Sequence, residues 1–240
     1  MRRVRRTTAV AALALGGCLV SAPPAPAGPA QSQVREYVSI THRAPAPPLG
    51  ACTAPSDSDS PSAFTLAPWR ISSAFDVTLS SQGVPSSVGI TGFQSALNGA
   101  IGSWEDTAIP STAFGSIASS SVRPRQRLDG ENVVGFGHIG NAVGLTRFWV
   151  DRSTGSVIEF DVVLNVRYPW STASSGTIED CSGTPGAFDV QAVLTHELGH
   201  PVGLEHFVND VQTMHPFVAT GETRKRTLAA GDTAGANVKY

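Results

Sequence analysis

The stretch "THELGHPVGLEHF", residues 195–207, holds three of the six histidines in a 240-residue chain. His196 and His200 are four apart, so an α-helix places both imidazoles on one face, within reach of one ion. Glu197 lies beside the first, turned enough to miss the ion but able to touch a water bound to it. Gly203 can take the left-handed conformation that ends a helix. His206 can then return to the same ion from outside the helix. Three neutral nitrogen ligands and one open position describe a catalytic zinc rather than a closed structural one. Pro201 lacks a backbone N–H, so its bond to the Glu197 carbonyl is lost, and it disfavours helical geometry at His200. A tightened or bent helix end between His200 and Gly203 is predicted, with all three ligands still in reach.

"HELGHPVGLEH" matches the His-Glu-x-x-His-x-x-Gly-x-x-His signature of the metzincin metallopeptidases. "VQTMHP" offers Met214 eight residues after His206, where that group has its methionine turn. Over about residues 67–240 the chain resembles the matrixin-like members, small secreted bacterial ones in particular, also in "LDGENVV", "EFDVVLN" and "RTLAAGDTAGANVKY". The resemblance implies a metzincin-type α+β fold, with a mixed twisted sheet, a long packed helix, the active-site helix, the methionine turn and a short C-terminal helix. It implies that His196, His200 and His206 hold one zinc ion and that Glu197 is the general base. Met214 would form a hydrophobic floor under the metal. Residues 144–150 would be the edge strand along which a protein or peptide substrate lies extended. Residues 216–218 would wall the pocket for the residue after the scissile bond.

Some positions depart from the family pattern. His215 stands where matrixins usually have tyrosine and reads as a structural histidine. His138 alone is too little for a second zinc. Calcium is often bound in the family, and Asp151, Asp161 and Asp180 offer oxygens, yet no loop has a calcium spacing. A cysteine-containing inhibitory pro-segment is missing, so latency by a thiolate on zinc is not supported. Two function classes follow: a secreted zinc endopeptidase, or a zinc-binding extracellular module with little turnover. The intact Glu197 favours the first.

Periodicity supplies the elements that must position these residues. "WRISSAFDVTLS" alternates as a strand. Phe93, Leu97, Ile101 and Trp104 make one stripe of a helix over 89–106. "NVVGFGHI" is a short strand. "VGLTRFWV" and "SVIEFDVVLNV" form a hairpin across "DRSTG", with Ile158, Phe160, Val162 and Leu164 on one face. "AFDVQAVLTHELGHPVG" opens as a helix, and "GDTAGANVKY" closes the chain as another. The pattern is α+β with a mixed sheet.

Composition bounds the rest. Charged residues are 15% and the net charge is -2, with no dominant basic patch, so nucleic acid is not expected as a partner. Residues 1–27 read as a secretory signal peptide: arginines, a short apolar run, then an Ala-x-Ala site. Its removal takes four arginines and no acids, changing the net charge from -2 to -6. A rival reading of "LGGC" lipidates Cys18 and anchors the protein. Export leaves two cysteines, and a Cys52–Cys181 disulfide is expected. Residues 28–66, rich in Pro, Ser and Ala, read as a linker or short pro-segment. No stable membrane span and a monomeric state are expected.

Overall fold

Apolar, β-branched runs build the sheet that carries the site. The computed structural model describes residues 33–44, 52–110, 113–173 and 181–240. In chain order the elements are β1 (Val34–Arg43), β2 (Thr65–Leu66), β3 (Phe75–Ser80), α1 (Gly89–Glu105), β4 (Phe114–Ser120), β5 (Asn132–Gly137), β6 (Gly144–Asp151) and β7 (Val157–Asn165). They continue with β8 (Trp170–Ser171), β9 (Phe188–Asp189), α2 (Val190–Val202), β10 (Leu204–Glu205), β11 (Phe217–Val218), a 3-10 turn at Arg224–Arg226, and α3 (Ala230–Lys239). The main sheet has seven strands in the order β11-β1-β6-β7-β5-β3-β4. β4, β3, β5 and β7 run parallel to one another, whereas β6 is antiparallel to β7 and to β1. The architecture is α+β with a mixed twisted sheet, as expected.

α1 forms where the stripe predicted it. Phe93, Ala96, Leu97, Ala100, Ile101 and Trp104 are its buried face, the three-to-four spacing of an amphipathic helix. Phe93 meets Phe136 of β5 at 5.0 Å between ring centres. Trp104 reaches across to α2, where its indole N–H donates to the Thr195 carbonyl at 2.8 Å. A buried indole needs such an acceptor, so this bond helps set the position of α2 against α1.

Three sequence expectations are corrected. The linker reading of 28–66 does not describe residues 34–43, which form β1 inside the main sheet. Its register runs from Val34 opposite Asp151 to Thr41 opposite Gly144, and His42 pairs with Phe217 on the other side. Val34, Tyr37, Val38, Ile40 and Thr41 are strand formers, a local signal hidden by the Pro, Ser and Ala around it. The strand expected from Trp69 begins only at Phe75. Ile158 leaves the expected apolar face because the β6–β7 register shifts between Trp149 and Val150. Such a bulge turns the following side chain aside, and Val157 joins Phe160, Val162 and Leu164 in the core instead.

The signal-peptide reading of residues 1–27, Cys18 and Asp180 lie outside the described residues. Among those described, no helix is long and apolar enough to cross a membrane. The structure joins Cys52 to Cys181 across a sequence separation of 129. Closing so long a loop removes much of the freedom of the unfolded chain. Replacing both cysteines by alanine should lower stability by about 2–5 kcal/mol. Urea denaturation of the two oxidised proteins measures this, and an unchanged midpoint contradicts it.

Candidate metal and catalytic site

α2 starts at a capped end. Asp189 is extended, and its carboxylate accepts from the Ala192 N–H at 2.9 Å, satisfying one orphan donor of the first turn. Arg226 donates to the same carboxylate through Nε and Nη2. Every residue of α2 except Gln191 is buried, so the helix is a core element carrying ionisable groups.

The far end resolves the puzzle of Pro201. The helix runs through Pro201 to Val202 and ends at Gly203, whose φ of 114° lies in the left-handed region that favours glycine. The Gly203 N–H is shared between the carbonyls of Gly199 (3.1 Å) and His200 (3.0 Å), the tightened last turn that was expected. Proline cannot serve the Glu197 carbonyl. That oxygen lies 3.1 Å from Thr146 Oγ1 of β6 instead. Two further carbonyls of the last turn are also taken: His200 by the Trp69 indole at 2.7 Å and Val202 by the Tyr240 hydroxyl at 2.7 Å.

The three histidines converge. One ligand atom from each of His196, His200 and His206 lies within 4.8 Å of the others. His196 Nδ1 sits 2.6 Å from the Thr213 carbonyl, and His200 Nδ1 sits 3.0 Å from the Leu204 carbonyl. A carbonyl accepts only, so each of these Nδ1 atoms carries the proton and each Nε2 presents a lone pair to the shared centre. Burial favours the neutral rings: it pushes His200 down to about 3 and His206 to about 4, and holds His196 well below the ordinary range. The buried Lys225 cation acts in the same direction on all three. Neutral imidazoles are what a zinc ion requires, so the donor set fits that metal.

Glu197 lies fully buried beside this cluster. Thr41 of β1 donates to Oε1 and Thr146 of β6 to Oε2, each at 2.6 Å. Burial nevertheless pushes the carboxyl up to about 7, outweighing the two hydroxyl donors. A carboxyl poised near neutrality suits proton transfer.

Met214 is buried, with its sulfur and methyl against Gly199 of α2. A side chain at position 199 would sit 2.7 Å from the Trp104 ring and closer still to the Met214 sulfur, so glycine there lets Met214 approach the helix. Sequence reasoning missed what holds the Met214 turn. Asp232 of α3 accepts from the N–H groups of Thr213 (2.6 Å) and Met214 (3.0 Å). Lys225 donates to the carbonyls of His215 (2.5 Å) and Phe217 (2.8 Å), fixing the segment that includes β11. His215 is half-buried against Phe217 at 5.6 Å between ring centres. Asp161 is bound by the N–H groups of Val133 and Arg127, and Asp151 caps its own turn through Ser153. Neither joins a metal cluster among the described residues.

The matrixin family model matches residues 127–240. No curated protein matches the chain. Among solved structures the chain is similar to metalloproteinase-II from Bacteroides fragilis, at 12% identity and a TM-score of 0.34. That likeness covers 69% of this chain and 54% of the other, so the chain spans about half the length of that protein. The stretch that is similar to the matrixins, residues 127–240, holds all three histidines, the buried Glu197 and Met214.

Proposed function

We propose that the chain is a zinc-dependent endopeptidase, exported and matured by loss of residues 1–27, that hydrolyses peptide bonds with Glu197 as general base. The observation that carries this reading is a buried glutamate with a raised pKa beside three imidazoles, kept neutral by burial, that bring one ring nitrogen each to a common centre. His196, His200 and His206 would hold the metal. Zinc bound there supplies an acidified water and polarises the scissile carbonyl. Glu197 takes the proton of the attacking water at a carboxylate oxygen and delivers it to the leaving amine nitrogen. The carbonyl partners of His196 and His200 keep those rings in one tautomer and one orientation. Met214 packs beneath the rings and takes no chemical part. β6 offers main-chain groups to an extended peptide, and the segment at 216–218 walls the pocket for the residue after the cut. The disulfide agrees with an oxidising compartment. The alternative is a zinc-binding extracellular module with little turnover, favoured by one observation: β1 already lies along β6.

Two outcomes test the role of Glu197. Glu197→Gln should reduce kcat on a peptide library by about 10²–10⁴ while zinc stoichiometry is unchanged, and a chelator should abolish cleavage by the unmutated protein. Equal activity in the two proteins would end the general-base reading. The second outcome concerns the metal-free fold. The folded pKa of Glu197, about 7, lies above its ordinary value of 4.5. The fold therefore favours the protonated form, and that stability is present below pH 4.5 and lost as pH rises through about 7. Glutamine stays neutral throughout. The stability of Glu197→Gln relative to the unmutated protein should therefore increase across that window, measured by urea denaturation in chelator. A difference that does not change with pH contradicts the assignment.

A further inference from the structure

A groove lies away from the histidine cluster, where the chain crosses from β4 to β5. The stretch "SVRPRQRLDG", residues 121–130, carries arginine at alternate positions: Arg123, Arg125 and Arg127. All three are exposed, whereas Pro124 and Gln126 between them are half-buried, the period of two of an extended chain. Alternate side chains of such a chain stand about 6.6 Å apart. The segment is fixed from end to end. The Ser80 hydroxyl donates to the Val122 carbonyl at 2.5 Å. A Pro124 ring carbon lies 3.1 Å from where a side chain at Gly135 of β5 would begin, so glycine there lets the proline settle on the sheet. The Arg127 N–H donates to Asp161 at 3.1 Å, and the Asp129 and Gly130 N–H groups donate to Glu159. Main-chain donors thus engage both buried carboxylates of β7, and the guanidinium groups are left to solvent.

The three arginines line a concavity of about 530 Å³ together with Gln82, Asp129 and Glu131. Gln82 and Arg123 also line a second one of about 490 Å³, whose walls include Pro124, Phe136, His138 and Val166. Through these shared residues the two adjoin as one groove with a basic half and an apolar half. Arg127 pairs with Asp129 at 2.8 Å. No carboxylate pairs with Arg123 or Arg125 among the described residues. Both are therefore open to an anion, and a guanidinium holds a carboxylate through two parallel bonds. The acids at one end and the apolar walls at the other disfavour a long uniform polyanion. The concave shape disfavours a flat lipid surface. An extended peptide fits, because its alternate side chains have the same repeat as the arginines.

We propose that this groove docks an acidic segment of the protein substrate. Two carboxylates two residues apart bind Arg123 and Arg125, and an apolar side chain beyond them packs against Pro124, Phe136 and Val166. The inference rests on the peptidase reading, which makes the docked partner a substrate. β7 alone separates β5 from β6 in the sheet, and β6 bears Thr146 against Glu197. A polypeptide docked on β5 and threaded to that base needs a connection on the order of ten residues, about 30 Å when extended. Docking raises the local concentration of the scissile bond. It lowers KM and leaves the chemical step alone.

The test gives the zinc-loaded protein a labelled peptide, Leu-Ser-Glu-Ser-Glu-Ser-Leu, and its counterpart with glutamine in place of glutamate. Fluorescence anisotropy measures binding. The same two segments, joined through a Gly-Ser linker to a quenched reporter peptide, measure cleavage. The acidic form should bind about tenfold more tightly than the glutamine form, as two exposed charge-assisted pairs allow. Its reporter should show a KM lower by a similar factor and an equal kcat. Arg123→Gln with Arg125→Gln should remove both differences. Arg35→Gln with Arg152→Gln, which changes the net charge equally, should keep them. Discrimination in binding without cleavage of either reporter supports the docking groove and defeats the peptidase reading instead. Equal affinity of the unmutated protein for the two peptides overturns the inference, and so does an equal loss in the variant at Arg35 and Arg152. Tighter binding to a heparin fragment or to phosphatidylglycerol vesicles, lost with Arg123 and Arg125, also overturns it, since the arginines then serve another class of partner.

Discussion

The structure is organised around one constraint: a helix carrying a carboxyl and two imidazoles is buried on nearly every side. An unpaired buried polar group costs about 1–3 kcal/mol, and a charged one more. The neighbours of α2 follow from that cost. Thr41 and Thr146 serve the two oxygens of Glu197. The carbonyls of Thr213 and Leu204 take the ring protons of His196 and His200. The turn that holds Thr213 is itself held by Asp232 from the last helix. Each ionisable group on α2 is thus satisfied by a group that needs positioning in turn. Three strands, a turn and α3 are recruited to one end of one helix.

Burial also decides the charge states. The same loss of solvent that lowers the imidazoles raises Glu197, so the dry site holds neutral rings and a carboxyl that titrates near neutrality. Lys225 adds to this. It is buried, yet satisfied by two carbonyls, and faces the carboxylates of Glu222 and Asp232. Its cation opposes protonation of the histidines, and its two bonds fix the wall that carries β11. One residue thereby couples the electrostatics of the histidine cluster to the position of β11.

What was legible in the sequence was local. The ligand spacing, the glycine hinge and the stripe of α1 are contained within one turn to a few turns of helix, and periodicity reports such short-range geometry directly. The partners of Glu197 were not legible. Thr41 lies 156 residues from it and Thr146 lies 51 away, and a single threonine in a strand carries no spacing that marks it. Asp232 carries no local mark of its role, which depends on where α3 docks. β1 escaped for a different reason. Its strand formers stand among residues rich in Pro, Ser and Ala, which hide them. The β6–β7 register shift that moved Ile158 was equally invisible in an alternating run.

Pro201 ties these themes together. By withholding an N–H it leaves the Glu197 carbonyl to the hydroxyl of Thr146, which also serves the Glu197 carboxylate. One hydroxyl has one proton, so the helix end and the base compete for it. Thr146 stands on β6, which the β7 ladder holds, and Thr41 stands on β1, which pairs with β6. The carboxyl of Glu197 is therefore positioned by neighbouring strands of one sheet, and a shift of either strand would leave a buried oxygen without its donor.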